Sequence, residues 1–194
     1  MSEPVFFFGA MSPYSWFAAE RIGALIPAAR WEPVFAGAIF RAAGRSSWGL
    51  GEQRAAGLIE CEQRARDHGL GPIRWPQPWP TNDVLIARAI TFAAGTGHDA
   101  GREVALTAMR AAFGDGLDLG APEAVAEVAR RAGWDADEVT HGVATPEVKD
   151  ALRATTEQAM GLGVIGVPTV LVAEHLFWGD DQLAAAAAVA ESGP

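Results

Sequence analysis

The sequence predicts an α/β fold. A βαβ unit at the start of the chain and a ββα unit at its end build one small sheet, with a large all-helical block inserted between them. Three observations carry this expectation. Strand-like apolar runs occur only near the two ends, at residues 5–8 and 31–36 and again at 163–173 and 175–179. Between them, apolar residues recur at helical spacing, punctuated by Gly and Pro. The links within each end are short, which suits a crossover helix in the first and a two-residue hairpin, Ala173-Glu174, in the second.

Residues 5–8, Val-Phe-Phe-Phe, read as a buried strand, and residues 13–27 as an amphipathic helix ending near Pro27. Ser12 is a good N-cap and Pro13 suits the first helical position. The Ser12 side chain therefore belongs at the positive end of a helix dipole, beside unpaired backbone N–H groups. Folds place anions and reactive thiolates there, although most capping serines only cap. Residues 31–36 follow as a second strand, with Pro33 hinting at an edge. A right-handed crossover then makes the two strands a parallel pair.

Helices are expected over residues 54–68, up to residue 94 from a cap at Thr81 or Asn82, and over 102–113, 122–132, 135–142 and 146–161. Thr145 caps the last, with Glu147 in its first turn. Residues 72–80 hold four prolines, which remove donors and fix φ, so they form no regular structure. The strand signal returns at Gly163-Val-Ile-Gly-Val-Pro-Thr. There Pro168 either opens a strand as an ordinary trans proline or follows a cis Val167–Pro168 bond that leaves the Val167 peptide groups free to bind an extended ligand. Asp180 and Asp181 open a final Ala-rich helix through residue 191. The expected division is a discontinuous sheet domain, 1–36 and 162–194, around a helical insertion domain, 37–161.

The chain of 194 residues, 49% hydrophobic and 20% charged, is globular and can bury a proper core. A net charge of −9 argues against nucleic acid but not against a small anion, which senses only the local field. No run approaches the roughly 18 apolar residues of a membrane span. The start, Met1-Ser2-Glu3-Pro4, lacks the basic flank of a signal peptide, so a cytoplasmic location is expected. The one cysteine, Cys61, excludes an internal disulfide or a cysteine-based zinc site and reads as a structural thiol. The four histidines show no metal-binding spacing, and no metal is expected.

Ser12-Pro13-Tyr14-Ser15, Gly163-Val-Ile-Gly-Val-Pro-Thr169 and Phe177-Trp-Gly-Asp-Asp181 together resemble the 2-hydroxychromene-2-carboxylate isomerase family. Ala38-Ile-Phe-Arg, Asn82 with Arg88, Ala129-Arg-Arg-Ala-Gly133 and Pro146-Glu-Val-Lys extend the likeness over nearly the whole chain. That family is related to kappa-class glutathione transferases and, more distantly, to DsbA-type oxidoreductases. The resemblance implies a thioredoxin-like domain interrupted by helices, with glutathione (or another low-molecular-weight thiol) as cofactor and Ser12 as the catalytic residue. Ser12 stands where a thioredoxin-type cysteine would be. Its hydroxyl would donate to the thiolate of the bound thiol and lower its pKa, and that thiolate would add reversibly to a conjugated substrate.

Val167, before Pro168, would pair with the cysteinyl part of glutathione. Asp181 and Asp180 would hold the γ-glutamyl ammonium. Asn82 caps its helix and is counted among the thiol contacts. The chain departs from the family pattern in the turn before Ser12, in residues 45–60 and at Gln182, all on the substrate side. Trp16, Trp48, Trp75, Trp79 and Trp178 could stack on a planar ring or serve the core. The expected partner is a small aromatic substrate, and the resemblance allows a homodimer. A kappa-like transferase and a non-catalytic thiol- or peptide-binding protein are the alternatives. Ser12 and Ser15 stand where both redox cysteines would be, which speaks against a disulfide oxidoreductase.

Overall fold

The computed structural model describes residues 3–192. Met1 and Ser2, read above as part of an acidic N-terminus, and Gly193 and Pro194, at the far end of the expected sheet domain, lie outside the described residues. Strand β1 (Val5–Phe8) is apolar at every position because both of its faces are covered. Phe6 and Phe8 enter one apolar cluster, and Val5 and Phe7 enter another, as the two-residue period of a strand requires. β2 (Arg30–Pro33) runs parallel to β1 at the sheet edge, β3 (Thr169–Val172) runs antiparallel on the other side, and β4 (His175–Trp178) lies beyond it. Pro33 thus occupies an edge strand, as expected.

Helix α1 (Pro13–Leu25) packs Trp16, Phe17 and Ile22 against the Phe6–Phe8 face. It stops two residues short of Pro27, because the residue before a proline is kept out of the helical region; Ile26 has ψ 72°. The opposite face is covered by α2 (Ala36–Ala42), through Ile39, and by Ala159 of α8 (Pro146–Gly161). The strand expected over residues 31–36 ends at Pro33, and α2 begins at Ala36 where the sequence pattern marks no helix, since seven residues span barely two turns of periodicity. Thr145 caps α8 as expected, its hydroxyl accepting from the Val148 amide.

The other expected helices are present as α3 (Arg54–Asp67), α4 (Val84–Ala94), α5 (His98–Asp115), α6 (Pro122–Arg131) and α7 (Ala136–Gly142). The first apolar cluster runs without a break from Phe6 and Trp16 to Ile86, Met109, Phe113 and Val128.

At the C-terminal end the ladder of β3 starts only at Thr169, after a cis Val167–Pro168 bond, rather than at Gly163. Ala173 and Glu174, at φ 47° and 70°, make the two-residue hairpin. Asp180 and Asp181 open a 3-10 turn, Asp180–Gln182, that leads into α9 (Leu183–Ser192), and α9 packs beside α1.

Candidate active site

The chain leaves the buried end of β1 and turns at once into α1, so the geometry of this turn decides what Ser12 can do. The Ser12 amide donates to Gly9 O at 3.1 Å. Its Oγ accepts from the Ser15 amide at 3.2 Å, closing the cap. The Ser12 O–H has no acceptor among the described residues and opens onto a cleft. Ser15 differs. It is fully buried, and its Oγ accepts from Gly9 N at 3.4 Å. Of the two serines in the motif, only Ser12 lines the cleft.

Val167 and Pro168 form part of the same wall. Among the described residues, neither the N–H nor the C=O of Val167 has a hydrogen-bond partner, so an edge of extended backbone is left for a ligand. Pro168 O accepts from Gly179 N at 2.9 Å, which ties the loop to the end of β4. Gly166 is needed here because a Cβ would come within 2.6 Å of Trp178 Nε1.

Asp180 and Asp181 part company. Asp181 is exposed and lines the cleft. Asp180 also borders the cleft, but it is 2% exposed and is engaged internally. Its Oδ1 accepts from Arg64 Nη1 at 2.6 Å, and its Oδ2 lies 3.5 Å from Arg21 Nη2 and 3.4 Å from His68 Nε2. Arg21 also donates to the Asp180 carbonyl at 2.6 Å. Asp180 therefore anchors the 3-10 turn to α1 and α3, and Asp181 projects from that anchor.

The turn before Ser12 is gripped by the segment preceding α4. Trp79 Nε1 donates to Met11 O at 3.1 Å, and Met11 N donates to Asp83 Oδ2 at 3.5 Å. Trp79 is itself fixed by Arg54, whose Nη1 donates to the Trp79 and Gly49 carbonyls. Asn82, exposed at the cleft, supplies the cap expected of it: its Oδ1 accepts from Val84 N at 3.0 Å, although Asp83 holds the N-cap position. Asp83 was missed by the sequence reading. It is 5% exposed, lines the cleft, and has its carboxyl pushed up to about 6 by burial.

Trp48, Trp79 and Trp178 line the cleft. Trp48 and Trp79 sit 5.0 Å apart between ring centroids, and the Arg45 guanidinium lies 4.5 Å over Trp178. Trp16 and Trp75 do not line it. Both pack on Phe113, and Trp16 belongs to the core. Tyr14, also in the wall, lies near Cys61, and burial raises the pKa of both. The thiol is pushed up to about 12, which leaves Cys61 an inert core residue. The cleft holds about 1440 Å³. Sites for one drug-sized ligand run about 300–1,000 Å³, so there is room for two molecules side by side.

A 2-hydroxychromene-2-carboxylate isomerase from Sphingobium xenophagum is 24% identical over 185 residues, covering 92% of each chain. Among solved structures, a 2-hydroxychromene-2-carboxylate isomerase superposes with a TM-score of 0.81 at 20% identity, covering 93% of this chain and 90% of that one. The cytosolic disulfide reductase DsbM of Pseudomonas aeruginosa, solved with GSH, gives a TM-score of 0.66 at 12% identity and 97% coverage of both chains. No helix among the described residues is long and apolar enough to cross a membrane. The family model of the DSBA-like thioredoxin domain matches residues 5–189. With its helix-interrupted sheet, the chain belongs to the DsbA-like thioredoxin domain family.

Proposed function

We propose that the cleft binds glutathione, or another low-molecular-weight thiol, and isomerises an unsaturated aromatic substrate of the 2-hydroxychromene-2-carboxylate type. The observation that carries the reading is the Ser12 O–H, without an acceptor among the described residues, at the N-terminus of α1 and in one cleft with the Val167 peptide groups, which those residues leave unpartnered. The bound thiol supplies a thiolate that adds reversibly to a conjugated double bond. Ser12 donates a hydrogen bond to that sulfur while the dipole of α1 favours its charge. Val167 pairs with the ligand backbone as a neighbouring strand would. Asp181 takes the ammonium group, and Asn82 contacts the ligand. Asp180 acts indirectly, by holding the turn that presents Asp181.

In this reading the sheet domain, 1–36 and 162–194, supplies the thiol site, and the helical insertion, 37–161, supplies the aromatic wall of Trp48 and Trp79. Disulfide exchange finds no support here, since Ser12 and Ser15 carry no sulfur and Cys61 is buried. The test is ultraviolet spectroscopy of a hydroxychromene or benzylidene-pyruvate substrate with purified protein. Interconversion of isomers is expected with glutathione and none without it. A stable glutathione conjugate would instead establish a transferase. No binding at millimolar glutathione would sink both readings.

A further inference from the structure

Asp83 sits where a carboxylate is hard to maintain. It is 95% buried by its exposure of 5%, yet among the described residues it has no cationic partner. Besides its own backbone amide, the carboxyl has among the described residues one hydrogen-bond donor, the Met11 amide at 3.5 Å. That distance is long for an N–H···O bond, so the carboxyl is held in position but weakly solvated by the protein. Gly9 leaves the space in which Asp83 and Val167 approach each other. A Cβ built on Gly9 would lie 3.4 Å from Val167 Cγ2 and 3.5 Å from Asp83 Oδ2. The carboxyl thus lies beside the residue before Ser12 and near the Val167 side chain.

The other charged groups of the cleft are engaged elsewhere or stand at its rim. Arg64 pairs with Asp180 and with Glu60, and Arg45 covers Trp178. Arg41, Glu52 and Asp181 are exposed, and none of these groups bonds to Asp83. No cationic side chain of the wall therefore pairs with Asp83, which has only the N-terminus of α4 beside it, and a second anion arriving beside Ser12 would meet an unpaired carboxylate. Two like charges in one water-poor site do not both persist; the pair retains a proton between them.

We propose that Asp83 is the proton partner of the bound thiol: as the thiol ionises beside Ser12, the Asp83 carboxylate takes up the proton. The S–H bond breaks and sulfur keeps the electron pair. The proton ends on a carboxylate oxygen, either directly or by exchange through water, so no net charge is added to the cleft. The inference rests on the thiol-binding reading above. It gives the cleft an acid that can return the proton when the thiol leaves.

The experiment is calorimetric titration of glutathione into the protein near pH 7.5, in buffers of different ionisation enthalpy, which yields protons released per thiol bound. The wild-type protein is expected to release well under half a proton, and Asp83→Asn about one. S-methylglutathione, with no ionisable thiol, should release essentially none from either protein. Equal release from wild type and Asp83→Asn would overturn the inference and leave thiol binding intact. Absence of any binding heat or competition would remove the thiol reading and this inference with it. If Asp83→Asn does not fold, infrared difference spectra of the wild type decide. A carboxylic C=O band appearing on addition of glutathione supports the transfer, and its absence contradicts it.

Discussion

Replacing Asp180 with alanine is expected to lower folding stability by about 3 kcal/mol. The carboxylate is 2% exposed and meets Arg64 at 2.6 Å, Arg21 at 3.5 Å and His68 at 3.4 Å. Removing it leaves two guanidinium groups facing each other with their shared anion gone. Breaking a buried ion pair from one side costs about 3–5 kcal/mol. The low end applies because Arg21 and Arg64 each keep 30% side-chain exposure and can rehydrate. Urea unfolding measures it. The same substitution frees the 3-10 turn from α1 and α3, so thiol affinity should fall although Asp181 is untouched. An Asp180→Ala protein as stable as wild type would show that the cluster is only a surface ion pair, and would return Asp180 to the list of ligand contacts.

The second large effect is a pH dependence with an unusual sign. Burial raises the Asp83 carboxyl from 3.8 to about 6 in the folded protein. Between those values the folded chain keeps a proton that the unfolded chain has lost. Stability therefore declines as pH rises through this window, and the full loss, about 3 kcal/mol, is present above pH 6. Paired surface carboxylates act in the opposite direction, so the readout is a comparison. Asp83→Asn keeps an acceptor for the Met11 amide and removes the charge. It should be more stable than wild type above the window by about 2–3 kcal/mol, with the gap closing towards about pH 4. A gap that does not change with pH, measured by urea unfolding in the two proteins, would show that Asp83 is not held against its charge.

What the sequence made legible follows from how local each cause is. β1, the Ser12-Pro13 cap and start of α1, and the Thr145-Pro146 cap and start of α8 are encoded within a few residues. All of them lie where the pattern puts them. The Ala173-Glu174 hairpin was likewise readable from a two-residue gap. α2 was not, because its residues 36–42 carry too few periods to separate a helix from a loop. Asp83 could not be read as a site residue, for its burial comes from contact with Met11, 72 positions away. Its neighbours Asn82 and Val84 suggest only an exposed cap. The distinction between Asp180 and Asp181 was hidden for a similar reason: adjacent residues at a turn diverge in direction, and only the positions of Arg21, Arg64 and His68 decide which one is drawn inside. Among the tryptophans, composition could not tell Trp79, which grips Met11, from Trp16, which fills the core.

The account as a whole turns on whether Ser12 tunes a sulfur that is not its own. The direct measurement is the ultraviolet thiolate absorbance of bound glutathione as a function of pH, in wild type and in Ser12→Ala. Both proteins should bind the thiol, because Val167 and Asp181 are untouched. A hydrogen bond to a charged group is worth about 1.5–3 kcal/mol, so removing the hydroxyl should raise the thiolate midpoint by about one to two pH units. A midpoint unchanged in Ser12→Ala would contradict the account and leave Ser12 as a helix cap alone.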